Sequence, residues 1–262
     1  METGDLPARS LFDRFQERIS RREVVKGAGL TGLGVLAGYT GYLRTRAQQS
    51  PDVQNLLNVA ITLETVAVTF FGVARQRGTR LGLTSDDVRF IRAAQCEEEA
   101  HYHFFEAAGG APSTTAVSLP NAIFKNRSTF YQHVRDLEEM SVATYMAAAN
   151  QFAQLGDPRL VEVSYQIGAI EAQHQVLVRA MLGDRLPNDR AFAQWMFSSV
   201  KEAGQALSDA GYVDGPGKKY EYPGPVDIFC RGVFGLVPET TEPAAPAASP
   251  SPEASPAATP SS

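Results

Sequence analysis

Apolar positions recur along most of this chain with the 3.6-residue period of an α-helix, interrupted by clear start and stop signals. The first pattern opens at Ser50-Pro51-Asp52, with proline at an early helical position, and runs to about Gln76. Thr84-Ser85-Asp86-Asp87 opens the second in the manner of a capping box, and Gly109-Gly110 closes it. A third runs from about Ser128 to Leu155 and ends at Gly156. Asp157-Pro158 starts the fourth, which Gly183 stops. A fifth, from about Asn188 to Ala210, carries the only tryptophan, Trp195. The segment 211–237, rich in Gly, Pro and Tyr, is expected to wrap over the helices without regular structure.

Connection lengths turn these elements into an architecture. Helices one and two are joined by roughly seven residues and helices three and four by about three, so each pair is expected to form an antiparallel hairpin. The link from Gly109 to Arg127 is some nineteen residues long. Extended, it reaches about 60 Å, against about 36 Å for a 24-residue helix, so it can cross the bundle from end to end. The expectation is an all-α four-helix bundle, two hairpins joined by one long crossover, with a fifth helix added.

The polar residues inside the apolar stripes carry the candidate chemistry. Glu-x-x-His occurs twice, as Glu98-Glu99-Ala100-His101 and Glu171-Ala172-Gln173-His174. Three residues along a helix is one turn and about 60°, so carboxylate and imidazole point the same way. Each motif is preceded by a lone candidate on another helix, Glu64 and Glu138. Glu64 is the only charged residue from Asn55 to Ala74, among Leu57, Ala60, Ile61, Ala67, Val68 and Phe71. Glu138 shares a face with Tyr131, Val134, Val142, Tyr145, Ala149 and Phe152, whereas Glu139 falls with Gln132, Arg135 and Asp136.

Glu98 shares a face with Ile91, Ala94, His101 and Phe105, and Glu99 falls on a polar face. Glu97 competes with Glu98, since Phe90, Ala93, Ala100 and Phe104 flank it; the Glu-x-x-His spacing favours Glu98. The helical levels agree as well. Glu64 stands about twelve residues before the end of its helix and Glu98 about thirteen after the start of its own. Glu138 and Glu171 match to within about one turn.

A lone buried glutamate is ordinarily half of an ion pair, and a lone core histidine ordinarily a hydrogen-bonded one. Six such residues on four helices at one level make a different set: Glu64, Glu98, His101, Glu138, Glu171 and His174 are candidate ligands of two metal ions. The inward stripes hold no Lys or Arg, so divalent cations are the simplest counter-charge. Oxygen and imidazole donors suit iron or manganese, and Cys96 lies nearly opposite Glu98 on its helix. Tyr145 reads first as a packed core aromatic, with a hydrogen bond to a ligand as the other reading.

The order Glu…Glu-x-x-His…Glu…Glu-x-x-His resembles the ferritin-like superfamily. The runs Leu137-Glu138-Glu139, Thr144-Tyr145-Met146-Ala147-Ala148-Ala149 and Ile167-Gly168-Ala169-Ile170-Glu171-Ala172-Gln173-His174 are more closely similar to its branch of plant desiccation-related proteins and their exported bacterial relatives. The likeness covers about Val53 to Gly183. It implies a dinuclear site, two Fe or two Mn ions, with His101 and His174 on one metal each and the bridging pair of glutamates left open. It also implies dioxygen, peroxide or Fe(II) as reaction partners. The rival expectation is a non-enzymatic envelope or desiccation-related protein with a structural or vestigial site.

The ends add a location. Ser20-Arg21-Arg22-Glu23-Val24-Val25-Lys26, followed by the uncharged residues 27–43, is similar to a twin-arginine export signal, with the Tat translocase as partner. Thr45-Arg46-Ala47 is a poor cleavage site, so the segment serves either as a removed signal or as a membrane anchor. Periplasm or cell surface is the expected destination. Residues 238–262, made of Pro, Ala, Ser, Thr and Glu, form an expected disordered tail. A formal charge of −5 gives no nucleic-acid footprint. Cys96 and Cys230 either pair in an oxidising compartment or stay as thiols. An oligomer is compatible with the sequence, although the fifth helix and the export segment argue against a simple 24-subunit cage.

Overall fold

The computed structural model describes residues 51–224 together with Cys230. The export segment, the anchor at 27–43, the tail and most of 225–237 lie outside the described residues.

Four long helices form two hairpins: α1 (Pro51–Gln76) with α2 (Ser85–Ala107), and α3 (Arg127–Gln154) with α4 (Pro158–Leu182). Each start is fixed locally. Thr84 caps α2 in a reciprocal box with Asp87, Asn126 caps α3, and Asp157 with Pro158 opens α4. Gly183 ends α4 in the left-handed conformation, which a side chain would strain. α1 is long and apolar enough to cross a membrane, yet almost all of it is buried by the other helices, as suits a core helix.

The crossover is guided along α1 by a polar stripe that the helical period creates. The Gln54 amide donates to the Gly109 carbonyl (2.7 Å), the Asn58 side chain accepts from Ala111 N (2.8 Å), and the Thr62 hydroxyl accepts from Ser113 N (2.9 Å). Four-residue spacing puts Gln54, Asn58 and Thr62 on one line, so alternate residues of the crossover, Gly109, Ala111 and Ser113, are tied down turn by turn. The chain then forms β1 (Ala116–Leu119) and a 3-10 turn at Asn121–Phe124 before entering α3. β1 pairs antiparallel with β2 (Lys218–Glu221), Ala116 opposite Glu221 and Leu119 opposite Lys218. Gly217 lets that return pass against Leu119, where a Cβ would come within 2.7 Å of the backbone.

Two expectations change here. Within 211–237, where composition predicts no regular structure, Lys218–Glu221 is a strand. The fifth helix is α5 (Val200–Asp209), so 188–199 is not helical and Trp195 sits 55% exposed in an irregular stretch. The physical reason is the cap at Ser198-Ser199: Ser199 accepts from Glu202 N, and Glu202 takes the Ser198 N–H and hydroxyl. α5 lays Val200, Ala203 and Leu207 against α1 and α3. The all-α class with an added helix holds, and the two-stranded ribbon is an accessory to it.

At one end of the bundle Asp87 ties three helices. Its carboxylate accepts from Arg127 through both Nε and Nη2 (2.7 and 2.6 Å), from Tyr131 Oη (2.9 Å) and from Thr84 N (2.7 Å), while Arg127 Nη1 donates to the Met181 carbonyl (2.8 Å). Phe70 stacks on Phe130 beside it, 5.4 Å between ring centres. Cys96 and Cys230 are disulfide-bonded, which decides the alternative that composition leaves open.

Candidate metal centre

Glu64, Glu98, Glu138 and Glu171 are all about 1–2% exposed, each delivered by a different long helix, and the two histidines stand beside them. Gly168 helps set the spacing: a Cβ there would meet Tyr145 at 3.3 Å, so α4 approaches α3 closely one turn before Glu171. The donor atoms fall into two overlapping groups, each within 4.8 Å: Glu64, Glu98, His101 and Glu171 in one, Glu98, Glu138, Glu171 and His174 in the other. Glu98 and Glu171 belong to both.

The oxygens divide accordingly. His101 Nδ1 lies 3.4 Å from Glu98 Oε2, 3.4 Å from Glu171 Oε1 and 3.7 Å from Glu64 Oε2. His174 Nδ1 lies 3.1 Å from Glu98 Oε1, 3.4 Å from Glu171 Oε2 and 3.6 Å from Glu138 Oε1. Each shared carboxylate thus turns one oxygen to each half. Glu64 and Glu138 are the unshared carboxylates.

Burial pushes the Glu64 and Glu138 carboxyls well above the usual carboxylate range. Burial opposes charge on Glu98 too, but contacts from both imidazoles outweigh it and hold that group low. Both imidazoles are raised: burial disfavours their charge, and the surrounding carboxylates more than offset it. Metal binding to such sites proceeds by displacing protons.

The chemistry of the cluster suits bound metal. Glu64 Oε2, Glu98 Oε1, Glu138 Oε1, both oxygens of Glu171 and both Nδ1 atoms are buried with no hydrogen-bond partner among the described residues. Buried polar atoms are rarely left so, and seven aimed into one space are what bound cations would satisfy. The donors are oxygen and imidazole nitrogen; Cys96 is held in its disulfide and offers no thiolate.

Two neighbouring residues gain roles. Tyr145 donates its phenol hydrogen to Glu64 Oε1 and stacks on Phe105 with the rings 9° from parallel. Burial and the neighbouring carboxylates raise its pKa, so it stays a donor. Glu97 is not in either donor group. Its Oε2 instead meets His174 Nε2 at 2.6 Å, on the ring edge away from the cluster. The sequence signal for that role was the apolar flanking that made Glu97 compete with Glu98.

Comparison with known proteins agrees with this arrangement. A family model described as ferritin-like domain matches residues 52–184, the four long helices with their crossover. No curated protein and no solved structure matches the chain. With the family model covering half of the sequence and all six clustered residues, the chain belongs to the ferritin-like domain family.

Proposed function

We propose that this protein is an exported ferritin-like oxidoreductase that holds two iron or two manganese ions through Glu64, Glu98, His101, Glu138, Glu171 and His174. One observation carries the reading: seven buried donor atoms with no hydrogen-bond partner among the described residues converge in two groups that share Glu98 and Glu171. Iron or manganese, when bound, supplies the electrons for reducing dioxygen or peroxide, with Fe(II) itself as one candidate substrate.

The chain's own residues set the conditions. Glu98 and Glu171 each turn one oxygen to either half, so both would take part in holding either ion. Glu64 and Glu138 close the two ends, with Tyr145 fixing one Glu64 oxygen and leaving the other free to bind. Phe90, whose ring centre is 6.0 Å from that of His174, and Phe105, stacked on Tyr145, are buried apolar rings beside two residues of the site. Low polarity around a charged centre strengthens each of its electrostatic contacts.

Export is supported by the Arg21-Arg22 segment and by the Cys96–Cys230 disulfide, a bond at home in oxidising compartments. The run Ile167 to His174 supports placement in the desiccation-related branch. The test is anaerobic loading of the protein with Fe(II), then admission of oxygen or peroxide while ferric absorbance and oxidant consumption are followed. Turnover that disappears in Glu98→Ala supports the oxidoreductase. Metal retained without turnover turns the reading to a structural, non-enzymatic envelope protein.

A further inference from the structure

The two halves of the site are built alike but braced unequally. Each has one unshared glutamate, one histidine presenting Nδ1, and an oxygen from each of Glu98 and Glu171. The difference lies behind the histidines. His174 Nε2 is 2.6 Å from Glu97 Oε2, and the ring is 3% exposed while the Glu97 side chain is 36% exposed. The ion-pair contacts of His101 run through Nδ1 alone among the described residues, and its side chain is 12% exposed.

Two consequences follow from general chemistry. A carboxylate at Nε2 holds the ring proton there, so Nδ1 keeps its lone pair toward the cluster and becomes more basic. On the other side the Tyr145 hydroxyl draws on Glu64, the unshared carboxylate of the His101 half, and weakens it as a donor. Both effects act in the same direction. We propose that Glu97 is a positioning residue that orients His174 and makes the Glu138/His174 position the tighter of the two metal positions.

This inference rests on the two-metal reading above, and its test separates the two. The metal-free full chain is titrated with Co(II), following heat and visible absorption. The wild type is expected to bind two equivalents in distinct steps. Glu97→Ala should weaken the first step by about 10–100-fold and leave the second unchanged. Glu97→Gln, whose amide oxygen still accepts from Nε2–H, should keep most of the first step. His101→Ala should keep the tight equivalent and His174→Ala should lose it. Two equal steps in the wild type, or a first step indifferent to Glu97→Ala, overturn the inference and leave the two-metal reading standing. No Co(II) uptake by the wild type overturns both.

Discussion

A carboxylate that faces two neighbours with different oxygens has a different value from one that faces a single neighbour. Glu98 and Glu171 are of the first kind, Glu64 and Glu138 of the second. Replacing Glu98 or Glu171 by alanine should therefore abolish uptake of both ions, while Glu64→Ala or Glu138→Ala should leave about one ion per chain, measured by elemental analysis after gel filtration. Tyr145→Phe removes the donor to a fully buried Glu64 and should cost about 1–3 kcal/mol in chemical denaturation of the metal-free protein. At this scale much of the site was legible, because Glu-x-x-His spacing and isolated charges in apolar stripes have direct geometric meaning. Glu97 competes with Glu98 in the sequence, since apolar residues flank both, and only the Glu-x-x-His spacing favours Glu98. Neighbouring positions differ by about 100° around a helix, and that rotation sends one to the cluster and the other to the back of His174. Tyr145 was harder still: its partner sits 81 positions away on another helix, which no local pattern records.

Among elements, the tie between α2, α3 and α4 at Asp87 is the most testable. Burial disfavours charge on Asp87, but bonds from Arg127, Thr84 and Tyr131 hold its pKa well below the usual carboxylate range. A group depressed on folding contributes its full stabilisation above its unfolded pKa of about 4 and loses it as pH falls toward the folded value. Asp87→Asn should cost about 3 kcal/mol near neutral pH, the low end for a broken buried pair because Arg127 is a third exposed. The variant should also lose part of the wild type's fall in stability below about pH 4, read from urea midpoints across pH. The four long helices could be read from their caps and periods. The ribbon could not, because β1 and β2 are four residues each and lie about a hundred positions apart. Nor did the stripe Gln54, Asn58, Thr62 announce itself, although it lays the crossover along α1. The start of α5 was legible after all in Ser-x-x-Glu at Ser199, a cap overridden by the longer apolar pattern upstream.

For the whole molecule, the disulfide and the proposed metal pair act at different distances. Cys96–Cys230 closes a span of 134 positions and ties the chain beyond the ribbon back to α2. Reduction, or Cys96→Ser, should lower stability by about 2–5 kcal/mol, compared by denaturation with and without reductant. It should leave the donor cluster intact, since Cys96 stands away from the face that Glu98 presents. Metal binding should stabilise the fold in proportion to its affinity, because the unfolded chain brings no such cluster together. The most direct test of the account is elemental analysis of the full chain after anaerobic loading with Fe(II) or Mn(II), beside a Glu98→Ala/Glu171→Ala variant of unchanged helical content. A two-metal site should give about two ions per wild-type chain and essentially none in the variant. A wild type that stays metal-free, or a variant that binds as well as the wild type, would contradict it.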